Sequence, residues 1–125
     1  MLNFNSILLG SENPKALVAF YEKVLGKKPD WSEGEWAGFS IGAGFISIGS
    51  HDKVKGQSAN PERILLNFET NDVTDEFARI EKLGAKVVAK PYQPDQAHNM
   101  WIATFADPDG NFFQLMSPWE SSKSN

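Results

Sequence analysis

Two halves of this chain follow the same plan. The first opens with the strand-like run Phe4-Asn5-Ser6-Ile7-Leu8-Leu9, then a helix that starts at Asn13-Pro14 and stops at Leu25-Gly26. The second opens with Ile64-Leu65-Leu66-Asn67-Phe68-Glu69, then a helix that starts at Asp72 and stops at Leu83-Gly84. The helix starts lie 59 positions apart (72 minus 13) and the closing glycines 58 apart (84 minus 26). Two copies of so long a period, with little identity between them, describe a pseudo-symmetric domain and not a solenoid. A functional residue in one half then has a predictable counterpart in the other.

The helices are well marked. Asn13 is placed to cap the first and Pro14 suits its first turn, while Leu17, Phe20, Tyr21, Val24 and Leu25 form one apolar stripe. In the second, Asp72 is placed to cap, Gly84 to close, and Val73, Phe77, Ile80 and Leu83 share a face. Strand-like runs follow each helix: Trp36 to Ile41 and Phe45 to Ser50 in the first half, and Lys86 to Lys90, Met100 to Ala106 and Phe112 to Ser117 in the second. Each half thus reads as strand, helix, then two or three strands. The expected organisation is one domain over residues 1–125. Module one covers about 1–50, a polar linker 51–62, module two about 63–118 and a frayed tail 119–125. Tyr92 to Asn99 reads as a second polar loop.

Alternation assigns the faces. Ile7 and Leu9 oppose Ser6 and Leu8, and Ile46 and Ile48 oppose Ser47. Leu66 and Phe68 oppose Leu65, Asn67 and Glu69, and Phe113 and Leu115 oppose Gln114. One face is uniformly apolar and suits packing under the helices. The other mixes Ser6, Ser47, Asn67 and Gln114 with large apolar groups, as the lining of a ligand cavity does.

The runs Phe20-Tyr21-Glu22-Lys23-Val24-Leu25-Gly26 and Asp107-Pro108-Asp109-Gly110-Asn111-Phe112-Phe113-Gln114-Leu115 resemble the vicinal oxygen chelate superfamily. That group includes glyoxalase I, extradiol dioxygenases, fosfomycin-resistance enzymes and bleomycin-resistance proteins. The resemblance runs from about Phe4 to Pro118 and implies an α+β fold. It would have two βαβββ modules whose curved mixed sheets wrap a small-molecule cavity, in a protein that forms a homodimer.

Enzymes of that group carry metal ligands in the first and last strand of each module, usually His or Glu. The matching positions here are Ser6, Ser47, Leu65 and Gln114. Leucine has no lone pair to give, hydroxyls are weak ligands, and a neutral amide does not balance the charge of a divalent ion. No metal or other cofactor is expected. The resemblance implies instead a metal-independent binding protein for an aromatic drug or metabolite, conferring antibiotic resistance by sequestration. The alternative is a lyase, isomerase or dioxygenase of the same superfamily, lactoylglutathione-lyase-like, with non-standard ligands or a metal-free mechanism. The expected ligand-binding set is Ser6, Trp36, Ser47, Asn67, Trp101, Phe105 and Gln114, with no catalytic residue assigned.

Other residues admit two readings. Trp36, Trp101 and Phe105 are either core or pocket lining. Gln114 either bonds Ser6 or Ser47 or orients a ligand, and Glu69 is expected to reach solvent, because a buried unpaired carboxylate is costly. His51 and His98 sit in polar loops as solvated rim residues, or else one is a general base at the cavity mouth. The run 107–111 is a hairpin turn and not a calcium loop, since its glycine is fourth and Pro118 stands where a bidentate Glu belongs. Gly42-Ala43-Gly44 is likewise a turn, because a strand follows it.

Charge and composition narrow the partners. A net charge of −4 argues against nucleic acid and anionic membranes. The absence of cysteine excludes disulfides, thiolate zinc and cysteine nucleophiles. The start of the chain has neither the basic region of a signal peptide nor a spanning apolar run, so a cytoplasmic location is expected.

Overall fold

The computed structural model describes residues 1–94 and 99–118. It divides into two compact units, Met1–Gln57 and Ser58–Asn125, and the division falls inside the polar 51–62 stretch. Strand β1 (Ile7–Ser11), helix α1 (Pro14–Leu25) and strands β2 (Trp31–Glu33), β3 (Trp36–Ile41) and β4 (Gly44–Ser50) make the first unit. The second has a 3-10 turn at Pro61–Arg63, then β5 (Leu66–Glu69), α2 (Val73–Lys82), β6 (Lys86–Tyr92), β7 (Ile102–Ala106) and β8 (Phe112–Met116). The sheets have the orders β1-β4-β3-β2 and β5-β8-β7-β6. In each, the first strand pairs parallel with the last and the remaining pairs are antiparallel. The duplication is therefore one of topology as well as of pattern, and the βαβββ expectation holds in both halves.

Strand β2 is absent from the sequence reading. It has three residues, all exposed, and no apolar alternation to reveal it. The repeat itself calls for it, since its counterpart β6 is plain.

Helix α1 buries Pro14, Leu17, Tyr21 and Val24, and Gly26 closes it at φ 70°, a left-handed conformation that glycine adopts without penalty. Fully burying Leu17 or Tyr21 contributes on the order of 1.5–3 kcal/mol. Asn13, expected as a side-chain cap, makes no such bond. Its own N–H instead donates to the buried Ser11 Oγ at 2.9 Å, so the hydroxyl at the end of β1 fixes the entry to the helix. Asp72 does cap α2, its carboxylate accepting from the Asp75 N–H at 2.9 Å.

The second core is aromatic. Phe77 of α2 stacks on Phe105 of β7 at 5.0 Å, and Phe105 stacks on Phe113 of β8 at 5.6 Å. The buried residues Ala37, Phe39, Ile46 and Ile48 form the matching layer beneath α1.

Lys27 and Asp30 pin the loop after α1 to β3. Lys27 Nζ donates to Asp30 Oδ2 at 2.8 Å and to the Ser40 carbonyl at 2.6 Å, and the Ser40 N–H donates to the same carboxylate oxygen at 2.6 Å. The Lys27 hydrogen bond, then that from Ser40, holds the Asp30 carboxyl below its ordinary value of 3.8. A lowered folded pKa means that the clamp is complete above 3.8 and is lost as pH falls through the lower folded value. Thermal melts in acid should therefore fall more steeply for the native protein than for Asp30→Asn. Parallel curves would show that the clamp adds nothing.

Candidate ligand-binding faces

In module one, register separates two faces. Leu8 pairs with Ser47, and Ser47 with Gly38, which in turn pairs with Trp31. This row points away from α1, as do Trp36 and Phe45 one step along their strands. Leu8, Trp31 and Trp36 are 50%, 46% and 38% exposed, so the face offers apolar surface to solvent. Ser47 is half-buried, and its Oγ donates to the Ile7 carbonyl at 3.4 Å, near the outer limit for a hydrogen bond. Ser6 precedes β1, is half-buried and falls by alternation on the same side.

Module two repeats the arrangement with more polar groups. Asn67 pairs with Gln114, and Gln114 with Thr104. Gln114 Nε2 donates to Thr104 Oγ1 at 3.4 Å, a weak bond that leaves the amide able to turn toward a ligand. Thr104, buried beside Gln114, is missing from the expected set, although it is the one polar residue in the run 102–106. Glu69 lies on this face and is exposed, as expected for an unpaired carboxylate.

Two expected lining residues sit elsewhere. Phe105 is fully buried on the α2 side, because its register partner is Phe113 and not Gln114. It is core. Trp101 stands just before β7, where its N–H donates to Ser117 Oγ at 2.9 Å and its carbonyl accepts from the Ser117 N–H at 3.1 Å. Alternation from Ile102 sets it with Ala103 and Phe105, away from Gln114. Its side chain is 41% exposed at that strand end.

His51 follows β4, and its Nδ1 accepts from the Lys53 N–H at 3.1 Å. The same Nδ1 lies 3.4 Å from the exposed Asp52 Oδ1. His98 and the tail 119–125 lie outside the described residues.

The four positions matched to metal ligands do not fit a divalent ion. Leu65 precedes β5 with no donor atom, Ser47 and Gln114 offer only neutral groups already bonded to neighbours, and Ser6 offers a hydroxyl. Among the described residues, no group of three or more His, Asp or Glu side chains converges to hold a metal.

This strand order and these face assignments meet an independent comparison. A glyoxalase-like domain family model matches residues 6–116. The chain belongs to that family. With it the chain joins the vicinal oxygen chelate superfamily, as the motifs implied. Similar solved structures include the genomically encoded fosfomycin resistance protein FosX from Listeria monocytogenes, with TM-score 0.74 and 19% identity over 98% of each chain. A glyoxalase-related enzyme from Fulvimarina pelagi has TM-score 0.74 and 15% identity over 94% of this chain and 89% of its own. A glyoxalase/bleomycin resistance protein/dioxygenase family enzyme from Burkholderia phytofirmans PsJN has TM-score 0.71 and 21% identity over 90% and 96%. At these identities the likeness speaks for the fold. No curated protein matches the sequence. No described helix is long and apolar enough to cross a membrane.

Proposed function

We propose that this member of the glyoxalase-like family is a metal-independent small-molecule binding protein. Its ligands would be aromatic drugs or metabolites, and a cytoplasmic role in resistance by sequestration follows naturally. The observation that carries the reading is the chemistry of the sheet faces turned away from the helices. They combine exposed indole with hydroxyls and amides held by weak bonds, while the positions that would bind a metal carry groups unsuited to one. On the face of module one, Trp36, Ser6 and Ser47 would contact ligand, and on the face of module two, Asn67 and Gln114 would. Thr104 would steady the Gln114 amide.

The alternative, metal-free catalysis, would fall on Glu69, the carboxylate that shares a face with Asn67 and Gln114. A screen of aromatic compounds by tryptophan quenching tests the main reading. The best binder should lose several-fold in affinity to Gln114→Leu, in line with the roughly 1 kcal/mol of one hydrogen bond, with no loss of thermal stability. If Glu69→Gln abolishes turnover of such a compound, the enzymatic reading replaces this one. Affinity untouched by Gln114→Leu would remove Gln114 from the site.

The outermost strands are β1 and β2 in one sheet and β5 and β6 in the other, and edge strands call for cover. A homodimer is the proposed assembly. Light scattering at micromolar concentration should report about 27.8 kDa, twice the 13.9 kDa chain, and a value near one chain would contradict it.

A further inference from the structure

Two glycines on the face of module one that turns away from α1 are occupied by aromatic rings. A Cβ placed on Gly49 would collide with Cε3, Cδ2 and Cζ3 of Trp36. One placed on Gly38 would lie 2.5 Å from Cζ and 3.0 Å from Cε2 of Phe45. Neither glycine is among those at positive φ, so backbone conformation does not demand glycine at either position. Space does. The six-membered ring of Trp36 takes the volume that any other residue at 49 would fill, and so lies against the backbone of β4. Trp36 as a residue is 38% exposed, so the side chain that covers Gly49 also meets solvent.

At the matching positions module two has no glycine. Register matches Gly38 to Thr104, each opposite the central residue of the last strand, Ser47 or Gln114. One step further, Gly49 matches Met116 and Trp36 matches Ile102. At these matched positions, an aromatic ring laid on glycine is thus particular to module one.

We propose that Gly49 is a positioning residue that holds the Trp36 indole flat as a stacking platform, so that this face selects planar aromatic ligands over saturated ones of the same ring skeleton. The inference rests on the small-molecule reading above and adds the residue that sets its preference for aromatic ligands. A ring pinned in one orientation loses little freedom when a second ring stacks on it. Alanine at 49 would force the indole out of this position, because the colliding atoms belong to its side chain and not to the backbone.

The test compares 2-naphthamide with its fully saturated decahydro counterpart by calorimetry on the full chain. The native protein should prefer the aromatic probe by roughly tenfold, the upper range for one stacked pair. Gly49→Ala should remove that preference and leave the affinity for the saturated probe unchanged, which a general loss of structure would not do. Trp36→Leu, with Gly49 intact, should likewise remove the preference for the aromatic probe, and serves if the alanine variant does not fold. Gly44→Ala, where the nearest atom to a Cβ is 3.8 Å away, should change nothing. Equal binding of both probes by the native protein overturns the inference and leaves the small-molecule reading standing, as does a preference that survives both substitutions. Failure of both probes to bind overturns the inference as well. If the aromatic screen also yields no binder, the small-molecule reading goes with it.

Discussion

Phe105→Ala is expected to destabilise the protein by about 3–5 kcal/mol, the usual cost of truncating a buried aromatic ring. The ring is fully buried and stacks on Phe77 of α2 on one side and Phe113 of β8 on the other. Its loss opens a cavity where helix meets sheet, and the aromatic neighbours do not collapse to fill it. Urea melts should show the midpoint falling with an unchanged slope. Affinity for aromatic probes should stay as in the native protein wherever the variant is folded. A small stability loss with a large binding loss would return Phe105 to the ligand face.

Asp107→Ala is expected to cost about 3 kcal/mol, because one buried carboxylate organises the whole β7–β8 turn. Its Oδ1 accepts from the Asp109 N–H at 2.9 Å and the Asn111 N–H at 3.0 Å, and its Oδ2 from Asn111 Nδ2 at 3.0 Å. The Gly110 N–H donates to the Asp107 carbonyl at 2.9 Å, with Gly110 at φ 81° completing the turn. Alanine strips the acceptor and leaves two backbone donors facing a half-buried turn. An asparagine side chain would keep one acceptor oxygen, so Asp107→Asn should fall between alanine and native in the same melts. A loss under about 0.5 kcal/mol for alanine would show that the amides find other partners.

Most of the fold is legible because topology here is written twice. Asn13-Pro14 and Leu25-Gly26 bracket α1, Asp72 caps α2, and alternation opposes Ile46 and Ile48 to Ser47, and Phe113 and Leu115 to Gln114, as the structure does. What escapes needs register. In the run Ile102-Ala103-Thr104-Phe105-Ala106, apolar residues stand on both sides, and nothing local says which side meets the helix. The lone threonine is the clue, since a polar residue mid-strand belongs opposite another, and alternation already sets Gln114 on the ligand side. Asn13 makes no side-chain cap bond, and its backbone N–H donates to the hydroxyl of Ser11, a contact that no capping signal in the sequence announces. Gly38 and Gly49 carry no readable meaning in the sequence. A glycine inside a strand signals a close approach but does not name what approaches. Only cross-strand pairing reveals Phe45 and Trp36 as the occupants.

On the proposed reading, the ligand faces bind a small molecule through indole, hydroxyl and amide groups without a metal. Calorimetric titration of the native, untagged protein with its best aromatic binder puts this to the test, run after dialysis against a chelator and again with added zinc, nickel or manganese. The same affinity is expected in every arm. Binding that disappears on chelation and returns with one of the metals would contradict the reading and restore a metal centre to this fold.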